Sequence, residues 1–258
     1  MKIELRICHL YSDLLNLYGD RGNILALMYR AGLRGIDVRV TPLTIGESFD
    51  GDLYDIVFFG GGQDAEQNII RRDLVNNKGN AVKEAVEKGN VFLCVCGGYQ
   101  MMGKYYEEID GNRIDCLAAL DICTIARKKR LIGNTVYRCD FLNDDAAQGC
   151  FEPLKIYGFE NHSGRTFLGE GVKPLAKVLT GAGNNGDDGT EGAVYRGIYC
   201  TYSHGSVLPK NPAMADHLIE KALKQQLGEE FRLLPASCEI ENIARLQRES
   251  CKKGLTSP

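Results

Sequence analysis

The 258-residue sequence has no apolar stretch of the length that a membrane-spanning helix requires. Its continuous apolar runs, such as Ile56–Phe59 and Val91–Val95, are far short of the roughly 18 residues needed to cross a bilayer. The first residues carry charges at Lys2, Glu4 and Arg6, which is unlike the start of a signal peptide. We therefore expect a cytoplasmic protein with no direct insertion into a membrane.

The sequence also lacks an excess of positive charge and any Cys-x-x-Cys pair. It contains 31 Lys and Arg against 34 Asp and Glu, a formal net charge of −3, which leaves no broad basic field for nucleic acid. Among its ten cysteines, Cys94 and Cys96 form one close pair, whereas a structural zinc site usually needs two. We predict no metal site, no cofactor and reduced, mostly buried thiols.

The composition, 44% hydrophobic and 25% charged, is typical of a folded globular chain and excludes a disordered, collagenous or coiled-coil protein. Apolar runs alternate with segments of helical periodicity in the first half. The predicted strands are Ile3–Cys8, Ile36–Thr41, Asp55–Phe59 and Val91–Val95. The predicted helices are Ile24–Ala31, Ala65–Val75, Ala81–Lys88 and Gly97–Tyr105. This order predicts an α/β fold with a mostly parallel central sheet and helices on both faces.

The second half has a mixed pattern, with strands that are not separated by regular helices. Its predicted strands are Ile122–Ala126, Thr135–Phe141, Leu154–Phe159 and Tyr195–Tyr202. A helix is predicted after Pro212, and another over Glu239–Cys251. No interdomain linker is evident, so we predict one domain over residues 1–235, followed by a C-terminal helix and tail over 236–258.

The strongest chemical signal is the segment Cys94–Gln100, which reads Cys-Val-Cys-Gly-Gly-Tyr-Gln and follows a buried strand. A nucleophile on a sharp strand-to-helix turn needs small residues two positions before and after it. Cys96 satisfies this with Cys94 and Gly98, whereas Cys94 would have Phe92 at one of those positions. We therefore predict that Cys96 is a thiol nucleophile, and that the dipole of the helix after it favours the thiolate.

A cysteine nucleophile requires a general base, and two histidines follow predicted strands. His162 comes after the strand at Leu154–Phe159, and His204 after the strand at Tyr195–Tyr202. Spacing alone does not choose between them, so both remain candidates at this point.

Backbone amides of glycines can stabilise the oxyanion that such a nucleophile would create. Gly97 follows Cys96 directly, and Gly60–Gly62 follows another buried strand, where a backbone without side chains can approach a substrate. The segment Gly98–Tyr105 nearly matches a phosphate-binding P-loop, but Tyr105 stands where Ser or Thr would hold magnesium. We therefore find no ATP site.

These motifs resemble the class I glutamine amidotransferases, in particular their cobyric-acid-synthase-like branch. The resemblance rests on Cys96–Gln100, on Gly60–Gly62 and on the late Tyr-Ser-His-Gly at Tyr202–Gly205. Further motifs resemble those of the glutaminase subunits of two-subunit lipid II isoglutaminyl synthases: Leu17–Asn23, Gly60–Asp64, Gly158–His162 and Pro209–Pro212. The resemblance implies a three-layer α/β domain and extends from residue 1 to about residue 225.

The resemblance also implies a role for each matching residue. Cys96 would be the nucleophile and His204 the base, because the family places its histidine in the late Tyr-x-His-Gly. The implied substrate-binding residues are Arg130 for the α-carboxylate of glutamine, Gln100 near the bound glutamine, and Gly61, Gly62 and Gly97 for the oxyanion. Many relatives carry a carboxylate two residues after the histidine, where this chain has Ser206. A distant acid of this chain or an acid of a partner subunit would then orient His204.

The implied reaction is hydrolysis of L-glutamine to glutamate and ammonia through a thioester on Cys96. Ammonia would pass to an ATP-dependent, MurT-like Mur ligase subunit of a heterodimer, which amidates D-isoglutamate of lipid II during peptidoglycan synthesis. Two alternatives stay open. The chain could be a glutaminase for another amidation, such as cobyric acid synthesis, or a catalytically silent binding module of the same fold.

Overall fold

The computed structural model describes residues 2–15, 20–62, 64–142 and 154–243. Leu17–Gly19 and Gln63, which contribute to the motifs above, lie outside the described residues. In the described ranges, no helix combines the length and the apolar character that crossing a membrane requires.

A mostly parallel sheet of six strands combines the first four strands of the chain with two strands from its second half. In spatial order its strands are β11 (Ala193–Tyr195), β12 (Ile198–Thr201), β4 (Val91–Val95), β3 (Ile56–Phe59), β1 (Glu4–Leu10) and β2 (Asp37–Leu43). All neighbours are parallel except the edge strand β11, which runs antiparallel to β12. Every residue of β3, β4 and β12 is buried, so both faces of this sheet are covered. The predicted α/β fold class is confirmed.

The helices of the described chain are short to medium in length and most follow strands of this sheet. Up to residue 227 they are α1 (Arg21–Gly32), α2 (Asp64–Asp73), α3 (Gly79–Lys88), α4 (Gly97–Met101), α5 (Val207–Lys210) and α6 (Pro212–Leu227). A π-helical turn at Leu74–Lys78 joins α2 to α3. The buried guanidinium of Arg30 on α1 pairs with Asp216 on α6 at 2.5 Å, which fastens these two helices together.

A second sheet, largely antiparallel, lies beside the first. Its strands are β5 (Tyr105–Glu107), β6 (Arg113–Asp115), β7 (Ile122–Arg138), β8 (Lys155–Leu168), β9 (Ala176–Thr180) and β10 (Thr190–Glu191). β7 and β8 form a long antiparallel ribbon whose register shifts between Ala126 and Leu131. The backbone of His204 pairs with Phe159 of β8, so this ribbon reaches the end of β12.

Several predicted boundaries in the second half are wrong. Ile122–Ala126 and Thr135–Phe141 fall largely on one strand, β7, because β8 pairs with it on both sides of a bulge. The strand predicted to end at Phe159 continues to Leu168, so that His162 lies within β8 and not after it. The strand predicted over Tyr195–Tyr202 is present as β12 from Ile198 to Thr201, but its first residues form the turn after β11, where Arg196 adopts φ 51°.

The helix predicted over Gly97–Tyr105 is also shorter than expected. It ends at Met101, and Tyr105 begins β5. A Cβ on Gly103 would lie 2.9 Å from the backbone oxygen of Ile122, so the chain passes close to β7 at this point and leaves the helix. With a helix of five residues, the expected dipole effect on Cys96 loses most of its basis.

Most cysteines among the described residues are free and buried. The free thiols are Cys8, Cys94, Cys96, Cys116, Cys123, Cys139 and Cys200, and six of these are buried. Cys238 is an exception to the expectation of reduced thiols because it is disulfide-bonded.

The helix predicted over Glu239–Cys251 is present from Glu239 to Ile243, and its remainder lies outside the described residues.

Candidate active site

The chain turns sharply at Cys96, where β4 ends and α4 begins. Cys96 has φ 49° and ψ −102°, a positive-φ conformation that non-glycine residues seldom adopt. Its N–H donates to the oxygen of Thr201 at 2.9 Å, and its own oxygen accepts from the N–H of Gln100 at 3.0 Å. The side chain is 6% exposed. The structure thus has the strand-to-helix turn that the sequence indicated, with Cys96 at the strained position.

The small residues on either side of Cys96 have distinct packing reasons. A Cβ on Gly98 would lie 2.4 Å from the backbone oxygen of Phe59, which leaves no room for a side chain. Cys94 is fully buried in β4, where it lies in register with Phe59 on one side and Cys200 on the other. Cys94 is therefore a core residue of the central sheet, and Cys96 is the cysteine at the strand end.

Three side chains meet around the position of Gly61, in the glycine loop after β3. A Cβ on Gly61 would lie 3.1 Å from Cε1 of His204, 3.2 Å from Oδ2 of Asp20 and 3.3 Å from Cβ of Cys96. Asp20 precedes α1, Cys96 follows β4 and His204 follows β12, and the central sheet brings them to one edge. A side chain at position 61 would crowd all three residues, so glycine suits this position.

The amides predicted to serve an oxyanion differ in their surroundings. Gly62 and Gly97 are neighbours, because a Cβ on Gly97 would lie 3.0 Å from the backbone nitrogen of Gly62. The N–H of Gly61 instead donates to Oδ2 of Asp20 at 2.7 Å. Gln67 also donates to the oxygen of Gly62 at 3.2 Å, which fixes the loop from the other side.

His204 is fully buried beside this glycine loop. Its backbone N–H donates to the oxygen of Phe159 at 2.7 Å, and Nζ of Lys210 donates to its backbone oxygen at 3.4 Å. Burial lowers the pKa of its imidazole to about 4, and the nearby charges of Arg130 and Lys210 act in the same direction. The imidazole is therefore neutral at pH 7, the form in which it can accept a proton.

His162, the other candidate base, is packed inside the ribbon. Its Nδ1 donates to the oxygen of Gly164 at 2.7 Å, and its ring stacks on Tyr202 with centroids 3.7 Å apart. Burial lowers the pKa of His162 to about 3, although its bond to Gly164 opposes the shift. These contacts match a histidine that holds β8 against the segment before His204.

Arg130 lies in the exposed bulge of β7, next to the same edge. Its Nε donates to Oδ1 of Asn161 and its Nη2 to the oxygen of Asn161, both at 2.9 Å. After burial, the positive charge of Arg130 is the next cause that lowers the pKa of His204. An arginine held by its Nε and one Nη keeps a further N–H edge for an anion.

Gln100 is buried below the turn and is 4% exposed. Its Oε1 accepts from Nε2 of Gln67 at 3.2 Å, and its Nε2 donates to the hydroxyl of Tyr202 at 3.2 Å. Tyr202 in turn shares a 2.6 Å bond with the hydroxyl of Thr166. Gln100 thus connects the glycine loop, through Gln67, to the ribbon of the second sheet.

No role for Asp20 was evident from the sequence, although Asp20 belongs to one of the quoted motifs. This carboxyl group is fully buried, and burial raises its pKa to about 7, against the opposing effect of its bond to Gly61. An aspartate just before a helix signals a helix cap in sequence, so nothing local marked its contact with a residue 41 positions away. A perturbed acid in a cluster of this kind is a functional-site candidate.

Comparison with known proteins agrees with this geometry. A family model described as a CobB/CobQ-like glutamine amidotransferase domain matches residues 6–212. Two curated relatives are both named lipid II isoglutaminyl synthase (glutamine-hydrolyzing) subunit GatD. The one from Streptococcus pneumoniae is 40% identical over 89% of this chain and 85% of its own length. The one from Staphylococcus aureus is 41% identical over 95% of this chain and 93% of its own length.

More distant similarity extends to cobyric acid synthases and to solved structures. A cobyric acid synthase from Clostridium acetobutylicum is 28% identical over 66% of this chain but only 32% of its own length. PurLQS from Thermotoga maritima has a TM-score of 0.56 at 13% identity, covering 88% of this chain and 100% of that one. The glutaminase domain of CTPS from Trypanosoma brucei, solved with acivicin, has a TM-score of 0.51 at 12% identity and covers 91% and 97%. At these identities the two structures show a shared fold.

The family model covers most of the chain, and two relatives at 40–41% identity extend over nearly all of it. The same chain places a cysteine on a strained turn beside a buried neutral histidine and a glycine loop. The chain therefore belongs to the CobB/CobQ-like glutamine amidotransferase family.

Proposed function

We propose that this chain is the glutaminase subunit of a lipid II isoglutaminyl synthase. The observation that carries the proposal is the meeting of Cys96 and His204 at Gly61, in a chain 40–41% identical to two subunits of that name. The substrate is L-glutamine, and the products are glutamate and ammonia.

The first half of the reaction forms a thioester. Neutral His204 accepts the proton of the Cys96 thiol, and the sulfur attacks the side-chain amide carbon of glutamine. The electron pair of the C=O bond moves to oxygen, and the amides of Gly62 and Gly97 receive the resulting negative charge. When the tetrahedral intermediate collapses, the C–N bond breaks, His204 gives its proton to the nitrogen, and ammonia leaves.

The second half returns the enzyme to its starting state. Water attacks the carbonyl carbon of the glutamyl thioester while His204 accepts one of its protons. The C–S bond then breaks, glutamate departs, and Cys96 regains a proton from the imidazolium of His204. The neutral resting form of His204, which follows from its lowered pKa, suits it for both proton transfers.

Arg130 recognises the α-carboxylate of glutamine in this proposal. Its position is fixed by two bonds to Asn161, and its charge already acts on His204. A guanidinium offers a two-pronged donor to a carboxylate, which fixes the orientation of the substrate as well as its affinity. Gln100 supports the glycine loop through Gln67 below the bound substrate.

Ammonia passes to an ATP-dependent, Mur-ligase-like partner in the cytoplasm, which amidates D-isoglutamate of the lipid II stem peptide. We further propose that the partner brings the acid that orients His204. Position 206 is a serine packed against Gly22, and the carboxyl of Asp20 already accepts the N–H of Gly61. Docking would then complete the site, and little free ammonia would be released without the partner.

The test is capture of the partner from the source cell with this chain as bait, followed by assays of the purified complex. We expect a Mur-ligase-like protein, transfer of ¹⁵N from the glutamine amide to lipid II, and glutaminase activity that rises when the partner is added. Exchange of the partner carboxylate nearest His204 for its amide should remove that rise. A cobyric-acid-synthesis partner would favour the second candidate function, and an absence of glutaminase activity in the complex would overturn the proposal.

A further inference from the structure

The first turn of α1 contacts two loops of the candidate site at once. Asp20 bonds to Gly61 in the glycine loop. Gly22 and Asn23 contact the loop of residues 206–208, which follows His204. A Cβ on Gly22 would lie 2.3 Å from Oγ of Ser206, and Oδ1 of Asn23 accepts the N–H of Leu208 at 2.9 Å. One short segment thus connects the two loops between which Cys96 lies.

The side chain of Asp20 does not cap helix α1, although its position before the helix predicts a cap. An aspartate at the residue before a helix normally accepts a bond from an N–H of the first turn. Asp20 occupies that position of α1 yet makes no capping bond to it. Its Oδ2 accepts the N–H of Gly61 instead, at 2.7 Å. The contact of this carboxyl group therefore serves the glycine loop and not the helix.

The burial of the Asp20 carboxyl group is unfavourable, and no stabilisation of helix α1 compensates for it. The side chain is fully buried, and its Oδ1 accepts no hydrogen bond from the part of the chain that the structure describes. Removal of a carboxyl group from water without full hydrogen bonding is unfavourable. Sites that keep such groups are frequently functional. Here the group adjoins the point where Cys96 and His204 meet.

We propose that Asp20 is a positioning residue of the glutaminase site, which holds the Gly61 amide so that the glycine loop keeps its place against Cys96 and His204. The inference rests on the proposed glutaminase function. With the Gly61 N–H bonded to Asp20 and the Gly62 oxygen bonded to Gln67, both sides of the loop are held. The N–H of Gly62 is then left to face Gly97, where the oxyanion would form. The hydrogen bond of Asp20 is to the Gly61 amide, so Asp20 acts through the loop.

The test compares Asp20→Ala with Asp20→Asn in the complex with the partner. The amide oxygen of asparagine can still accept the Gly61 N–H, whereas alanine cannot. We expect Asp20→Ala to lower kcat about 10- to 100-fold with little change in KM, because misplacement of a catalytic loop by about 1 Å has effects of this size. Asp20→Asn should keep most of the activity. Unchanged kcat in Asp20→Ala, or an equal loss in both variants, would overturn the proposal.

A second readout separates this inference from the proposed function. Hydrogen exchange at the Gly61 amide should be faster in Asp20→Ala than in the wild type and remain slow in Asp20→Asn. Asp50→Ala is the matched control, since Asp50 is an exposed aspartate that caps Gly51–Leu53 before β3, at the opposite edge of the sheet. It should change neither kcat nor exchange at Gly61. A wild-type complex without glutaminase activity would overturn the function, whereas an active complex with unchanged Gly61 exchange in Asp20→Ala would overturn the role of Asp20.

Discussion

The imidazole of His162 lies flat against the ring of Tyr202, with an angle of 7° between the planes and 3.7 Å between the centroids. Its Nδ1 is bonded to Gly164. His204, two residues after Tyr202, has its Cε1 beside Gly61 on the side of Cys96. The two histidines that sequence spacing could not separate thus have different surroundings: His162 lies within a stack, and His204 lies at the glycine loop near Cys96.

The first prediction concerns these two histidines. His204→Ala should lower glutaminase kcat by about 10² to 10⁴, the usual effect of losing a general base. His162→Ala should keep the greater part of kcat and lose thermal stability, because it removes a buried stacked ring. Steady-state kinetics and thermal melts of both variants in the complex check this. A larger loss of kcat in His162→Ala would reverse the assignment.

The second prediction concerns the two cysteines of the turn. Cys96→Ala should abolish glutamine hydrolysis, because it removes the nucleophile, and Cys94→Ala should retain a large part of it. Cys94→Ala serves as the matched control, since Cys94 lies two residues away and wholly inside β4. Alkylation by a glutamine-like electrophile, mapped by mass spectrometry, should modify Cys96. Modification of Cys94 in its place would show that the nucleophile is misassigned.

The third prediction concerns recognition of the substrate by Arg130. Arg130→Ala should raise KM for glutamine about 10- to 100-fold, the range expected for a lost charged hydrogen bond, with a smaller change in kcat. Arg130→Lys should restore only part of the affinity because lysine lacks the two-pronged donor. Lys128→Ala, an exposed cation of the same bulge, is the control and should leave KM unchanged. Unaltered KM in Arg130→Ala would remove Arg130 from the site.

The fourth prediction follows from the raised pKa of Asp20. In the folded chain this pKa is about 7, against 3.8 for an ordinary aspartate. Between these values the folded state keeps a proton that the unfolded state has released, so this group lowers the free energy of unfolding as pH rises. Its contribution is full below pH 3.8 and is lost as pH rises through 7.

Asp20→Asn removes that titration. Its stability relative to the wild type should therefore increase between pH 4 and pH 7, by at most about 1.4 kcal/mol for each pH unit, and level off above pH 7. Chemical unfolding at a series of pH values measures the difference in free energy of unfolding between the two proteins. His162 and His204 are present in both proteins, so their contributions cancel in this difference. A constant difference across this range would mean that Asp20 does not titrate near pH 7.

The part of the site that lies close together in sequence was predictable. The spacing of small residues around Cys96 indicated a sharp turn, and the fully apolar runs at β3 and β4 indicated a sheet buried on both faces. The choice of His204 over His162 needed the family resemblance. The bulge in β7 and the length of β8 were not predictable, because they depend on pairing between two distant segments.

The short strands β5, β6 and β9 were missed for a related reason. β5 and β6 are three residues each, too short for the alternation that indicates a strand, and the burial pattern of β9 is irregular. Asp20 was missed because its partner Gly61 lies 41 residues away. Contacts of this kind are set by the topology of the sheet, which brings the ends of β3, β4 and β12 together.

Strand β8 holds both the histidine and the arginine of the site, through residues two positions apart. Phe159 accepts the backbone N–H of His204, and Asn161 accepts both bonds from Arg130. Because successive residues of a strand alternate in direction, these two contacts share one side of β8. Insertion or deletion of a single residue between them would turn one of the two away. This stretch can therefore change length only in steps of two, and position 161 needs a side chain that still accepts the Nε–H of Arg130.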